Sequence, residues 1–175
     1  MILDSLLLFS GSTGNTDTPT TGTQTATNIL DLGVTSGVPT SANGGGARDL
    51  GIGDDPALKL MIQCTTAFVG GTSLQAQLSG APDNGAGAPG AYTTMWTGPA
   101  VAVAALLQGA PLANVDVPRV IAGQVLPRFL RLQYISVGVF TGGAVEAGIV
   151  IDYIDQILSS AGNMSGYPVG VTVAN

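Results

Sequence analysis

The sequence predicts an all-β fold, a jelly roll or β-sandwich of about eight short antiparallel strands. Three observations lead to this prediction. Apolar and polar residues alternate in several short runs, glycine and proline recur between the runs (26 and 10 of 175 residues), and a helical pattern is weak everywhere outside Asp155–Ala161. Short strands that are separated by turn residues, without helices between them, are typical of sandwiches, jelly rolls and barrels.

We divide the chain into three parts. Residues 1–28 are an extended N-terminal arm with a Thr/Gly-rich loop, residues 29–158 form the jelly-roll domain, and residues 159–175 are a C-terminal extension. The low-charge stretch 10–47 contains one predicted strand, Thr27–Leu32. Extended segments of this composition serve either as linkers or as arms that lie on a neighbouring molecule and bond to its backbone.

The first half of the domain contains two runs with regular alternation. In Leu58–Thr65 and again in Leu74–Ser79, every second residue is apolar, which is typical of a half-buried strand. Tyr92–Thr97 follows as a strand rich in threonine and aromatic residues. Val101–Leu107 fits a buried strand or a short helix, because its valines favour the strand and its alanines and leucines favour the helix.

The clearest strand is Phe129–Val137, in which apolar residues alternate with polar ones. The short segment Gly138–Gly143 connects it to a second alternating run, Val145–Ile154. A glycine-containing connection between two such runs predicts a β-hairpin, whose register would bring Arg131 near Asp152 or a neighbouring outward residue. In the C-terminal extension, alternating valines fit an added edge strand, either on the chain's own sheet or on another subunit.

The chain carries few groups that could do chemistry. It has no histidine, one cysteine and five cationic residues, so we expect no enzyme activity, no cofactor and no metal. Charged residues make up 9% of the chain, against a usual share of about 25%, and the mean hydropathy is +0.42. This much neutral surface favours a homo-oligomer or permanent attachment to a partner. The net charge of −6 argues against binding to nucleic acid or to anionic membranes.

Neither an activated nucleophile nor a targeting segment is predicted. Cys64 lies in an apolar run and is expected to be a buried small hydrophobic residue. Ser10, Ser12 and Ser73 have no histidine to activate them, which excludes a histidine-based serine nucleophile. The segment Met1–Gly11 lacks the positively charged start of a signal peptide.

The acidic residues allow two functional alternatives, and we favour a structural interpretation of both. Asp54 and Asp55 precede a proline and then a strand, so they indicate a turn; a calcium site would need six to eight oxygen ligands. Glu146, Asp152 and Asp155 could be imagined as the carboxylates of a glycoside hydrolase. That mechanism needs two opposed acids across a cleft, and we interpret these three as solvated residues on an outer face.

Several residues are candidates for contact with a partner protein. Trp96 fits core packing, an interface anchor or a ligand-stacking platform. Arg119 and Arg128, each next to a proline, either reach an acidic patch on a partner or are ordinary loop charges. With the apolar residues of the arm and the extension, the predicted partner-contacting residues are Leu3, Leu6, Leu7, Phe9, Trp96, Arg119, Arg128, Tyr167, Val169 and Val171.

Several segments, taken in their order along the chain, resemble a known family. They are MILDSLLLFS at the start, TNILDLG from Thr27, ARDLGIGD from Ala47 and TTAF from Thr65, then LRLQY from Leu130, FTGGAV from Phe140 and GIVID from Gly148. In this order they resemble the capsid cement, or decoration, proteins of tailed bacteriophages, typified by a jelly-roll cement protein of a Bordetella phage. None of the segments is a chemical motif, so the resemblance depends on their order.

The resemblance implies a jelly-roll protein on the outside of an icosahedral phage head, where it binds the major capsid protein and bridges neighbouring subunits. It also implies a homo-oligomer, which we expect to be a dimer or trimer. We therefore expect a structural virion protein that is made in the host cytoplasm and stabilises the shell. The alternative is a jelly-roll glycan- or receptor-binding module of a head fibre or tail, for which Tyr92, Trp96 and Asn84 are the candidate cluster.

Overall fold

The protein is a β-sandwich of two antiparallel sheets, which confirms the predicted fold class. The computed structural model describes residues 7–11, 17–33, 58–118 and 127–150, and within these ranges it contains no α-helix. The strands are β1 Leu8–Ser10, β2 Gly22–Asp31, β3 Lys59–Gly70, β4 Ser73–Ala81, β5 Thr93–Thr97, β6 Val101–Ala102, β7 Pro111–Asp116, β8 Phe129–Val137 and β9 Phe140–Val150, with one 3₁₀ turn at Val103–Ala105.

The two sheets draw their strands from all parts of the chain. One sheet has four strands in the order β1-β9-β3-β7, and the other has the order β2-β8-β4-β5, with β6 also paired to β4. All of these pairings are antiparallel. The chain therefore changes sheet at every connection except those between β4, β5 and β6, and two of the crossings, β3 to β4 and β8 to β9, are only two residues long.

The core fills the space between the sheets and is built by the predicted alternation. Leu60 and Ile62 of β3 and Leu130 and Leu132 of β8 have no exposed surface, and their neighbours in sequence point away from the core. Burying one such side chain contributes about 1.5–3 kcal/mol. Cys64 is also buried, as predicted, and this burial raises the pKa of its thiol.

The predicted hairpin of Phe129–Val137 with Val145–Ile154 is wrong. β8 pairs with β2 and β4, whereas β9 pairs with β1 and β3 in the other sheet. The connection between them is only Gly138 and Val139, and it carries the chain from one sheet to the other. Alternation predicted correctly which residues point inward, but the same pattern fits a partner in either sheet.

The sandwich also begins earlier in the chain than the predicted boundary at residue 29. β1 pairs with β9 through Leu8 and Gly148, and β2 pairs with β8 from Gly22 onward. The predicted strand Thr27–Leu32 is therefore the second half of a longer strand. Its first half, residues 22–26, was missed because it has only one apolar side chain, Ala26, among Gly, Thr and Gln, and so shows no apolar alternation. Residues 1–6 and 159–175 lie outside the described residues.

The segment Val101–Leu107 combines both predicted possibilities. Val101 and Ala102 form β6 on the edge of β4, and Val103–Ala105 form a 3₁₀ turn immediately afterwards. The two valines pack partly against the core, while the alanines point to solvent.

Gly143 in β9 gives the first testable prediction. Its φ is +128°, and a Cβ at this position would overlap the ring of Phe68, which is itself packed edge-on against Phe140 at 5.1 Å. Gly143→Ala is expected to lower the free energy of unfolding by about 1–3 kcal/mol, through backbone strain and overpacking. Urea denaturation followed by Trp96 fluorescence measures this change.

Gly142→Ala is the matched control, because a Cβ on Gly142 meets no atom within 4 Å. Its free energy of unfolding is expected to stay within about 0.5 kcal/mol of wild type. Equal losses in the two variants would contradict this account of the Phe68 contact.

Candidate interaction site

The described residues do not form a metal-binding cluster. Within residues 7–11, 17–33, 58–118 and 127–150, no three His, Cys, Asp or Glu side chains lie close enough to hold a metal ion. No helix in these ranges is long and apolar enough to cross a membrane. The carboxylates of Asp17, Asp31, Asp83 and Asp116 all bond to other groups of the chain.

Ser10 belongs to a buried network that links the two sheets. Its hydroxyl donates to the Asp17 carboxylate and lies 2.8 Å from the hydroxyl of Tyr134. Since Ser10 has one hydroxyl hydrogen and gives it to Asp17, Tyr134 is the donor in the second bond. Asp17 also accepts from the backbone N–H of Thr27 at 2.9 Å and from its hydroxyl. Burial raises the pKa of Tyr134, so its phenol keeps the proton that this network needs.

The N-terminal residues predicted to contact a partner are placed differently by the structure. Phe9 lies in the hydrophobic core with no exposed surface, so its side chain stabilises this chain and is not available to a partner. Phe9 points between the sheets, whereas its neighbour Leu8 lies on the other side of β1 and pairs with Gly148 of β9. Leu7 is half-buried and packs against the core, which leaves part of its surface free.

Arg128 forms ion pairs within the chain, and contact of this residue with an acidic partner stays a prediction. Its Nε and Nη2 donate to the two carboxylate oxygens of Asp31 at 2.8 and 2.9 Å, and its Nη1 donates to Asp83. The Arg128 side chain is 16% exposed. It therefore fastens the end of β2 and the loop after β4 to the start of β8.

The Asp83 end of this bridge is further ordered by the backbone. Asp83 accepts hydrogen bonds from the N–H groups of Gly85 at 2.8 Å and Gly87 at 3.0 Å. The hydrogen bond from Gly85 has the largest effect. With the Gly87 bond and Arg128 it holds the pKa of the Asp83 carboxyl below its usual value. The two carboxylates in turn raise the pKa of the Arg128 guanidinium, and the hydrogen bond to Asp31 has the largest effect.

Trp96 is the predicted anchor on the edge strand β5. It is half-buried and packs against the core, with its six-membered ring close to Gly98, where a Cβ would lie 2.6 Å from Cη2. Among the three roles predicted for Trp96, the structure supports core packing. Part of the Trp96 side chain stays exposed, so its contact with a partner stays a prediction.

The outward face of the five-stranded sheet is flat and nearly uncharged. One cross-strand row consists of Thr25, Gln133, Gln77 and Thr97, and Gln77 Nε2 donates to Thr97 Oγ1 at 3.2 Å. The next row consists of Ile29, Arg131, Ser79 and Thr94. Over the strands of this sheet, the charged residues are Arg131 and Asp31, the last residue of β2, and Asp31 is paired with Arg128. We call this surface the neutral face.

Arg131 differs from the other two cations in the described part of the chain. Lys59 pairs with Asp116 and Arg128 with two aspartates, whereas the Arg131 guanidinium stacks on the ring of Tyr92 at 3.8 Å. Arg131 Nε and the Tyr92 hydroxyl are buried without a hydrogen-bond partner. Burial raises the pKa of Tyr92, against the opposing effect of Arg131. The stacked pair is thus a cation held against a ring, on a face whose other charged residue, Asp31, is paired with Arg128.

Sequence reasoning did not identify this pair. It placed Arg131 near Asp152, but Asp152 is outside the described residues, and β9 belongs to the other sheet. The usable signal was the alternation in β8, which points Arg131 outward among neutral side chains. The ring of Tyr92 could not be foreseen, because it lies in a loop far away in sequence.

The remaining predicted site residues lie outside the described residues. Their predicted contacts stay predictions, as do the turn interpretation of the acidic pair and the outer-face interpretation of the C-terminal acids. These residues are Leu3, Leu6, Arg119, Tyr167, Val169 and Val171, with Asp54, Asp55, Asp152 and Asp155.

The chain was also compared with known proteins. A protein-family model described as Bbp16 matches residues 16–149, which is well over half of the chain. The matched region covers the described strands from β2 through most of β9. The search of curated proteins gives no match.

Arg128→Gln tests the internal bridge. This substitution removes the guanidinium that bonds to Asp31 and Asp83, and we expect it to lower the free energy of unfolding by more than the loss of an exposed ion pair does. The control is Lys59→Gln, whose ion pair with Asp116 is more exposed, at 33% and 64% of the two side chains. Its cost is expected to be at most about 0.5 kcal/mol. If urea denaturation shows the same loss of unfolding free energy in both variants, the Arg128 bridge stabilises the fold no more than an exposed ion pair does.

Asp83→Asn tests the pH dependence of the same bridge. Because the folded-state pKa of Asp83 is lowered, its stabilising effect is complete above the ordinary aspartate pKa of about 3.9 and is lost as the pH falls below that value. The wild type should therefore be more stable than Asp83→Asn at pH 7, and the difference should shrink in acid. Thermal unfolding between pH 7 and pH 3 measures it, with Asp116→Asn as the control at the exposed ion pair. If the stability difference between wild type and Asp83→Asn grows in acid, the predicted direction of the pH dependence is wrong.

Proposed function

The chain belongs to the Bbp16 family, and from this premise we propose that it is a structural virion protein of a bacteriophage head. In this proposal it binds the outer surface of the assembled shell and cements neighbouring major capsid subunits. Its partners are then the major capsid protein and further copies of itself, in a dimer or trimer. Support comes from the ordered segments that resemble phage cement proteins, several of which lie within the matched region.

The neutral face is the observation that carries this proposal. Protein interfaces are depleted of charged residues at their centre and enriched in tyrosine and arginine. The neutral face has this composition, with threonine and glutamine rows around the single stacked pair of Arg131 and Tyr92. The Thr and Gln side chains can donate and accept hydrogen bonds, so they can match a partner's backbone without the desolvation cost of burying charges.

Arg131 is prepared for a partner in a way that Arg128 is not. Arg128 already uses its nitrogens on two carboxylates of the chain, whereas Arg131 has a stacked ring in place of an ion pair. Stacking fixes the planar guanidinium, so less side-chain freedom is lost when it donates to a carboxylate or carbonyl of a partner. Contacts of this kind, repeated over many copies on one shell, add through multivalency.

The glycan-binding alternative gains no support from the three residues predicted for it. One face of the Tyr92 ring is covered by Arg131, and Trp96 packs partly into the core. The side-chain oxygen of Asn84 accepts from the N–H of Ala86 at 2.8 Å. We therefore prefer the cement role to the glycan-binding alternative.

Co-sedimentation with undecorated phage heads tests the proposal. The wild-type protein is expected to bind saturably, at a fixed ratio to the shell protein. Arg131→Gln should bind at least about tenfold more weakly, as expected for a central arginine of an interface. Lys59→Gln removes the same charge from the outward face of the other sheet and should bind like wild type.

Two outcomes would contradict the proposal. Failure of the wild-type protein to bind heads would overturn the cement role. If Arg131→Gln and Lys59→Gln weaken binding to the heads equally, binding depends on net charge and not on the neutral face.

A further inference from the structure

Among the cations that the structure describes, Arg131 is the one that no carboxylate of the chain neutralises. Lys59 and Arg128 each form ion pairs with aspartates. Arg131 forms no ion pair and no hydrogen bond in the chain, and its guanidinium carbon lies 3.8 Å from the centre of the Tyr92 ring. An anion from outside the chain therefore meets no internal competitor at Arg131.

The order of the strands explains how Arg131 reaches Tyr92. Arg131 belongs to β8 and Tyr92 directly precedes β5, so β4 lies between them in the sheet. Ser79 of β4 pairs with Arg131 and is only 2% exposed. The long side chain of Arg131 lies across this small residue and ends against the ring. The position of the guanidinium is thus determined by the sheet on one side and by Tyr92 on the other.

The Arg131 guanidinium has one closed edge and one open edge. Its Nε is buried and has no hydrogen-bond partner, whereas Nη1 and Nη2 are not buried and form no hydrogen bond in the chain. The open edge therefore presents two N–H donors to the outside. Two such donors match the two oxygens of a carboxylate, in the bidentate geometry that arginine prefers. A backbone carbonyl has one oxygen and no charge, so it would leave the cation without a counter-charge.

The surroundings of Arg131 fit a single negative charge. Arg131 and Asp31 are the charged residues on the strands of this sheet, and Asp31 is paired with Arg128. A phosphate group with about two negative charges would need a further cation, which these strands do not supply. The net charge of −6 on the whole chain also disfavours a doubly charged anion.

An apolar side chain lies beside the open edge. Ile29 of β2 pairs with Arg131 and is 45% exposed. A partner that covers Ile29 also removes water from around the guanidinium, and an ion pair is stronger where water is excluded.

We propose that the open edge of Arg131 binds one carboxylate, the side chain of an Asp or Glu on the protein that docks on the neutral face. This inference rests on the proposed function, which makes that protein the major capsid protein. It adds the chemical group that Arg131 recognises. In this arrangement Tyr92 is a positioning residue, because its ring holds the guanidinium flat while the Nη nitrogens contact the partner.

A second copy that docks by the same face does not supply this carboxylate. In a two-fold pair, the neutral face of one copy would meet the neutral face of the other. The aspartates near that face, Asp31 and Asp83, are already paired with Arg128. Both Arg131 side chains would lose water without gaining an anion, which is unfavourable. The charges therefore favour a different protein as the partner.

Undecorated heads with neutralised carboxylates test the inference in co-sedimentation. A carbodiimide with glycinamide converts the carboxylates of the head surface to uncharged amides, and heads treated with glycinamide alone are the control. Wild type should bind the amidated heads at least about tenfold more weakly than the control heads, because its arginine loses its partner. Arg131→Gln should bind both kinds of head equally weakly. Lys59→Gln should lose binding on amidation as wild type does.

Two substitutions of Tyr92 test its positioning role on untreated heads. Tyr92→Leu removes the ring and should weaken binding several-fold, because the guanidinium is no longer held. Tyr92→Phe keeps the ring and removes only a hydroxyl that has no hydrogen-bond partner, so it should bind like wild type. If the two variants weaken binding equally, the ring is not what positions Arg131. Thermal unfolding confirms that each variant is folded.

The outcomes separate this inference from the proposed function. If wild type binds control heads and amidation weakens wild type and Arg131→Gln by the same factor, or weakens neither, Arg131 does not bind a carboxylate and the cement role stands. If Arg131→Gln binds heads normally but has a lower mass than wild type in sedimentation equilibrium, the carboxylate belongs to a second copy, which also overturns the inference. If wild type does not bind control heads, both proposals fail together.

Discussion

The structure depends on the closure of two sheets over a single apolar core. Each sheet contributes one apolar face, and the burial of residues such as Leu60, Leu78 and Leu132 provides the main stabilisation. To bring these faces together, the chain must cross between the sheets at very short connections. The crossings at Gly71–Thr72 and Gly138–Val139 lie side by side at one end, where the N–H of Thr72 donates to the carbonyl of Val137 at 2.7 Å.

Most of the polar groups described here are used to hold the sandwich together. The Ser10, Asp17 and Tyr134 network joins a strand of one sheet to the other sheet, and Arg128 joins three chain segments at the end opposite the crossings. Because so few charges are present and several of them are paired internally, the outward surface of the five-stranded sheet is left neutral. Arg131 is the exception, and its stacking on Tyr92 makes it the most distinctive feature of that face.

The proposed function needs a contact surface that keeps its shape. The neutral face offers hydrogen-bonding side chains and one fixed cation on a hydrogen-bonded sheet. Such a surface would suit the polar backbone or a carboxylate of a partner protein.

The fold class and the inward faces of several strands could be predicted from the sequence, because alternation is a local property of an extended backbone. The buried residues in Leu58–Thr65, Leu74–Ser79 and Phe129–Val137 were predicted in this way, as was the burial of Cys64. The pairing of the strands could not be predicted, since the same alternation fits either sheet. The long-range contacts depend on that pairing: Ser10 meets Tyr134 across 124 positions, and Arg128 meets Asp31 across 97. The stacking of Arg131 on Tyr92 is of the same kind, because these two residues come together only when distant segments share one core.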